Sequence, residues 1–318
     1  MITSGFTTDL TEEMNGPDSV VEKNEFKNIC PFYESESGHA RLFTATRYGK
    51  RYMLKCLKSD YLYTPVYRQI QNKEFEIGVQ LEHPNICHTI GLEEVEGLGQ
   101  VIVMEYIDGD NLQTLIDRGL LSASLAQHIA DQLMDALEYM HIKQIVHRDL
   151  KPSNIMVTHK GHVAKIVDFG LSDSDSFYIL KAPAGTSGYI APEQLLPDAK
   201  PEPVSDIYSF GCVVQEMAKA TKCRKLKTMA AICMVRDASK RPRSINELRV
   251  KMIDYSALHT FATVLAVGCL VLVCAIAVSY VHKYRSQNAQ GNMATQQNEV
   301  PADSLHAGSN QVLDYSQW

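Results

Sequence analysis

The chain of 318 residues is long enough for one large or two ordinary domains, and with 45% hydrophobic residues it can bury a substantial core. Its formal charge of −6 excludes a molecule-wide basic surface, so no nucleic-acid partner is expected. The eight cysteines, Cys30, Cys56, Cys87, Cys212, Cys223, Cys233, Cys269 and Cys274, show no C-x-x-C pairing, which argues against a disulfide framework or a structural zinc site.

Residues 1–26 are polar, carry acids at Asp9, Glu12, Glu13 and Asp18, and lack the basic start and apolar run of a secretory signal, so they read as a flexible segment. In 29–58, ARLFTAT and KRYMLKCL read as two strands joined at Tyr48, Gly49 and Lys50, a hairpin. Residues 64–81 have a helical cast, with Phe75, Ile77, Val79 and Leu81 mixed among charges, and His83-Pro84-Asn85 ends it. GQVIVMEYI is strand-like, with a turn at Gly109-Asp110. Residues 123–141 place Leu125, Ile129, Leu133, Ala136, Leu137 and Met140 close to a 3.6 period, which predicts a long helix with one buried face. NIMVT and VAKIVDF read as short strands about Lys160-Gly161, and 205–219 as an internal helix. The plan is a small strand-rich lobe to about residue 104 and a larger helical lobe to about residue 250, with the site in the cleft between them.

Residues 255–281 contain no Asp, Glu, Lys or Arg, and their core at 261–281 would rise roughly 31 Å as a helix, enough to cross a bilayer. The expected transmembrane helix is 257–281, with Tyr255, Tyr280 and Tyr284 at its ends. Arg236, Lys240, Arg241, Arg243, Arg249 and Lys251 precede it and only Lys283 and Arg285 follow closely, a bias that keeps the large domain cytoplasmic in a single-pass protein. The tail, 286–318, is rich in Gln, Asn, Ser and Ala without a sustained period and reads as flexible.

HRDLKPSN at 147–154, DFG at 168–170 and APE at 191–193, in this order and after a strand lysine, resemble the eukaryotic-type Ser/Thr protein kinases. The resemblance covers about 27–250. It implies an α+β bilobal protein-kinase-like fold, with a small β-rich N-lobe and a larger helical C-lobe, followed by the one transmembrane helix. It also implies ATP and Mg2+ as cofactors, and a protein substrate bearing Ser or Thr hydroxyls. By that resemblance Asp149 orients the hydroxyl and accepts its proton. Lys151 approaches the transferring phosphoryl, and Asn154 and Asp168 hold magnesium. Lys55 is similar to the family's phosphate-contacting lysine, with Glu74 as its helix partner and Glu76 as the alternative that periodicity does not separate from it. Thr186 in GTSGY resembles the threonine of Ser/Thr-specific members. Arg148 is similar to the arginine that holds a phosphorylated loop, which makes Ser172, Ser174 and Ser176 candidate phosphosites. Glu193 is expected to pair with Arg241, and Asp206 to hold the catalytic-loop backbone. The resemblance places Leu42, Met53, Met104, Glu105, Ile107, Asn111 and Met156 around the nucleotide.

The chain departs from the family in several places. Ser35, Ser37 and Ala40 stand where three glycines usually cover the phosphates, which predicts looser covering. Met53 replaces a small residue and should narrow the adenine site. Gly78 stands where an apolar residue is usual and should leave packing unfilled. The interval from Glu193 to Arg241 is short, and Lys219, Lys222, Arg224, Lys225 and Lys227 form a basic cluster within it. The expected function is transfer of the γ-phosphoryl of ATP to protein Ser/Thr hydroxyls at a membrane, with self-association as the switch. The alternative is a pseudokinase acting as a nucleotide-sensing or protein-binding module.

Overall fold

The computed structural model describes residues 25–34, 38–169, 188–196 and 202–297. The chain divides into two compact units, Met1–Met252 and Ile253–Trp318.

In the first unit, β1 (Lys27–Glu34), β2 (Ala40–Arg47), β3 (Lys50–Leu57), β4 (Thr89–Val95) and β5 (Gly99–Glu105) form an antiparallel sheet in the order β1-β2-β3-β5-β4. Tyr48 and Gly49 both have positive φ, the two-residue turn whose twist suits a hairpin, and they set the β2–β3 register at Arg47↔Lys50. That register decides which side chains serve the core. Ala45, Leu54, Cys56, Val101 and Val103 bury one face of the sheet as a small core. The opposite face carries Leu42, paired with Lys55, and Met53, paired with both Thr44 and Met104. Each fully buried Leu or Val contributes about 1.5–3 kcal/mol, so a one-residue slip that turned Leu54 and Val103 outward would be strongly disfavoured.

Helix α1 (Pro65–Gly78) starts on a proline and buries Ile70, Gln71, Glu74 and Gly78. This inner face is mostly polar. Gln71 Nε2 donates to the Gln100 carbonyl at 3.0 Å and to the Lys55 carbonyl at 3.4 Å, which ties the helix to β5 and β3. At Gly78 the expectation of unfilled packing is corrected: a Cβ there would lie 2.4 Å from Thr89 Oγ1, so the buried threonine of β4 already occupies the space.

The helical lobe is built on α3 (Ala123–Ile142), whose Ser122 side chain caps it by accepting from the Leu125 N–H at 3.1 Å. A short helix, α2 (Leu112–Asp117), precedes it. Strands β6 (Gly109–Asn111), β7 (Ile155–Thr158) and β8 (Ala164–Ile166) form a second sheet. Gly109 cannot be replaced, because a Cβ would meet the Val157 carbonyl oxygen at 2.1 Å. Helix α4 (Pro203–Thr221) is internal and packs on α5 (Arg224–Cys233), where a Cβ at Gly211 would stand 2.6 Å from that of Cys233. The last helix, α6 (Ile245–Gln297), begins with Ile245 and Leu248 in the same core, and its Arg249 Nη2 reaches Asp135 Oδ1 at 2.5 Å.

In the second unit, the stretch Thr263–Arg285 of α6 is long and apolar enough to cross a membrane by length and composition. The helix continues through 286–297, which the sequence left as flexible. Gln, Ala and Met there are adequate helix formers, and extending a helix already nucleated costs far less than starting one.

Candidate active site

The loop after α3 is organised by one buried carboxylate. Asp206 on α4 accepts from the His147 N–H at 2.8 Å, from the Arg148 N–H at 2.9 Å, and contacts His141 Nε2 at 2.8 Å. Burial pushes the Asp206 carboxyl up, but the hydrogen bond from His141 and the charges and backbone donors around it prevail and hold it below the ordinary carboxylate value. Arg148 has a φ of 69°, an unfavourable left-handed conformation that these two backbone bonds keep in place.

The next residues turn inward. Asn154 Nδ2 donates to the Asp149 carbonyl at 2.9 Å and to Asp149 Oδ2 at 3.1 Å, and Lys151 Nζ lies 2.8 Å from the same oxygen. The Val167 N–H donates to the Asn154 carbonyl at 2.9 Å, which joins this loop to the segment bearing Asp168. Asp168 also has a positive φ, of 68°. Its Oδ1 lies 2.8 Å from Lys55 Nζ, and Lys55 in turn reaches Glu74 Oε1 at 2.5 Å. The alternative partner, Glu76, pairs instead with Lys73 at 3.1 Å. Burial alone would lower the Lys55 pKa, but Asp168 and Glu74 reverse this and leave it above the ordinary lysine value, a fixed cation. Burial pushes the Glu74 carboxyl up against the opposing pull of Lys55.

Of the nucleotide residues read from the sequence, Leu42, Met53 and Met104 lie on the open face of the sheet and are partly buried. Glu105 ends β5. Its N–H donates to the His88 carbonyl, and its carboxylate accepts from the His88 N–H at 2.8 Å and from Lys165 Nζ at 2.7 Å. Ile107 follows in an irregular segment, and Met156 pairs with Asn111 across β6 and β7. Asn111 also caps α2, its Oδ1 accepting from the Thr114 N–H at 2.8 Å. Thr186, Ser172, Ser174, Ser176, Ser35, Ser37 and Gly170 lie outside the described residues.

Besides Asp206 on the loop backbone, the other support read from the sequence, the Glu193–Arg241 pair, is present. Arg241, fully buried, binds Glu193 through both terminal nitrogens at 2.8 and 2.6 Å, and Ser205 Oγ adds a bond to Glu193 at 2.9 Å. Sequence reasoning missed Gln71, Lys165 and His39. The ring of His39 lies 5.1 Å from that of Tyr67 on α1, and burial, with Lys55 second, lowers its pKa. No sequence pattern marks these three, because each acts through a partner distant in the chain.

A β-rich lobe and a helical lobe, with the Lys55–Glu74–Asp168 chain linked to the Asp149–Lys151–Asn154 cluster, define a bilobal kinase-like protein. The family model of the protein kinase domain matches residues 34–270, and the chain belongs to that family. It is 36% identical over 196 residues to a probable serine/threonine-protein kinase of Streptomyces coelicolor, covering 57% of this chain and 28% of the relative. It is 37% identical over 179 residues to the serine/threonine-protein kinase PknA of Mycobacterium tuberculosis, covering 54% and 41%. It is 26% identical over 288 residues to the serine/threonine-protein kinase pkn2 of Myxococcus xanthus, covering 78% and 34%. The chain thus spans less than half the length of these curated relatives.

Proposed function

We propose that this chain transfers the γ-phosphoryl of ATP to Ser or Thr hydroxyls of proteins, from a catalytic domain held at the cytoplasmic face of a membrane that α6 crosses once. The observation that carries this reading is the ion-pair chain in which Lys55 is held between Glu74 and Asp168. A lysine so fixed is aimed at nucleotide phosphates and stays charged. Asp149 accepts the proton of the incoming hydroxyl, and Lys151 offsets charge on the transferring phosphoryl. The open face bearing Leu42, Met53 and Met104, with Met156, Glu105, Ile107 and Asn111, takes the adenosine.

Among the described residues no cluster of three or more His, Cys, Asp or Glu side chains gathers for a metal. Magnesium takes one or two protein ligands and completes its shell with phosphates and water. Asn154 and Asp168 would hold it; the Asp168 side chain is 45% exposed, accessible to such an ion. Bound there, magnesium would offset the negative charge of the phosphates.

Cytoplasmic placement rests on the need for ATP and on the excess of basic residues before the span. Arg241 drops out of that count, because it is fully buried against Glu193. Arg236, Lys240, Arg243, Arg249 and Lys251 still outnumber Lys283 and Arg285. The preference for Ser and Thr rests on Thr186 and on the relatives' activities. Phosphoamino-acid analysis of a generic protein acceptor labelled by the full chain tests it. Phosphoserine and phosphothreonine are expected, and phosphotyrosine alone would contradict it. Protease protection in sealed vesicles tests placement: the catalytic domain should be digested from the cytoplasmic side and the end of the chain spared.

A further inference from the structure

The basic cluster of the shortened interval falls at the junction of α4 and α5, and the reaction chemistry does not use it. Lys219, Lys222, Arg224, Lys225 and Lys227 are all exposed, whereas Leu226, Met229 and Ala230 on the other side of α5 are buried. Among the described residues no carboxylate forms an ion pair with any of them. By contrast Lys240, Arg249 and Lys251 each face an acid. The charges are only partly explained by helix stability. Lys219 and Lys222 sit at the C-terminal end of α4, where cations are favoured, but Arg224, Lys225 and Lys227 open α5, where the helix dipole disfavours them, and no acid shares that first turn. Three cations placed against their own helix point to an external anion.

We infer that this face of α5 docks on anionic lipid headgroups of the membrane that α6 crosses, an inference that rests on the reading of α6 as a span. The chain itself brings the two together. Leu248 is fixed in the core and the span begins at Thr263, so even a fully extended connection holds the domain within about 50 Å of the bilayer, and a helical one within about 22 Å. A tether that short raises the local concentration of headgroups at the domain surface, and each Lys or Arg at an anionic leaflet strengthens binding roughly fivefold. The docked face would hold the cleft at a defined height above the membrane and so favour acceptors in membrane-associated proteins.

The test is amine labelling of the full chain in nanodiscs, with acetylation of each lysine read by mass spectrometry. In discs containing about a third phosphatidylserine, labelling of Lys222, Lys225 and Lys227 should slow at least threefold relative to pure phosphatidylcholine discs, with Lys50 and Lys160 unchanged and the effect abolished by high salt. The variant K222E/K225E should lose the protection of Lys227 while keeping phosphoryl transfer in neutral discs. Equal labelling in both discs would overturn the inference, as would equal slowing at Lys50 and Lys160 or protection reproduced in neutral discs by inorganic phosphate. A chain that stays soluble and never enters the discs would instead overturn the reading of α6.

Discussion

Thr89 on β4 fills the space beside Gly78 on α1, so that a Cβ at residue 78 would stand 2.4 Å from Thr89 Oγ1. The glycine is a close-packing position at the end of the helix that presents Glu74 to Lys55. Gly78→Leu should therefore destabilise the domain by about 1–3 kcal/mol and reduce phosphoryl transfer, because α1 is pushed from β4. Thr89→Ala in the Gly78→Ala background should recover most of what Gly78→Ala alone loses. Thermal unfolding and activity of the four chains check this; full stability of Gly78→Leu would refute the contact.

Asp206 gives a pH prediction whose sign is fixed by its lowered folded-state pKa. Its stabilising contribution is present above the unfolded value near 3.8 and is lost as pH falls through the folded value. Asp206→Asn should cost about 3 kcal/mol at neutral pH, since one backbone N–H then faces an amide N–H, and should flatten the acid limb of the stability profile. Denaturant titrations at pH 7 and pH 3.5 measure the difference, which should shrink at the lower pH.

The pair Arg241–Glu193 should be asymmetric. Glu193→Gln leaves the fully buried Arg241 guanidinium without its counter-charge and should destabilise by about 3 kcal/mol. Arg241→Met leaves Glu193, which is a quarter exposed and keeps its bond from Ser205, so it should cost less. Chemical denaturation of the two variants decides the order.

Met53 and Met104 are cross-strand neighbours on the open face of the sheet. Met53→Ala should widen the adenine site, and Ala40→Gly should let the phosphate-covering loop approach more closely, so the double variant is expected to bind ATP several-fold more tightly. Calorimetry with ATP and magnesium reads this, and unchanged affinity would count against both placements.

The β2–β3 hairpin and Lys55 on it were legible because alternation and a turn glycine are local signals. Helix α3 was legible because its buried face is apolar throughout most of its length. Helix α1 was legible as an element at 64–81, but its inward face was not, because it holds Gln71, Glu74 and Gly78 and leaves no apolar period, which is why Glu74 and Glu76 could not be told apart by pattern. The role of Gly78 was misread for a related reason: whether a missing side chain leaves a void depends on Thr89, a residue of another element. Strand β1 is mostly exposed on both faces, and α2 spans less than two turns, too short for either to carry a period.

The central claim is that the cluster around Asp149 and Lys55 performs phosphoryl transfer. Labelled transfer from ATP to a generic protein acceptor, comparing the native chain with Asp149→Asn, tests it most directly. Asn154 and Lys151 would still find an oxygen at residue 149, so the variant should fold, yet it lacks the base and should lose transfer by at least about a hundredfold. Equal transfer by the two chains, or none by the native chain with ATP bound, would contradict the account.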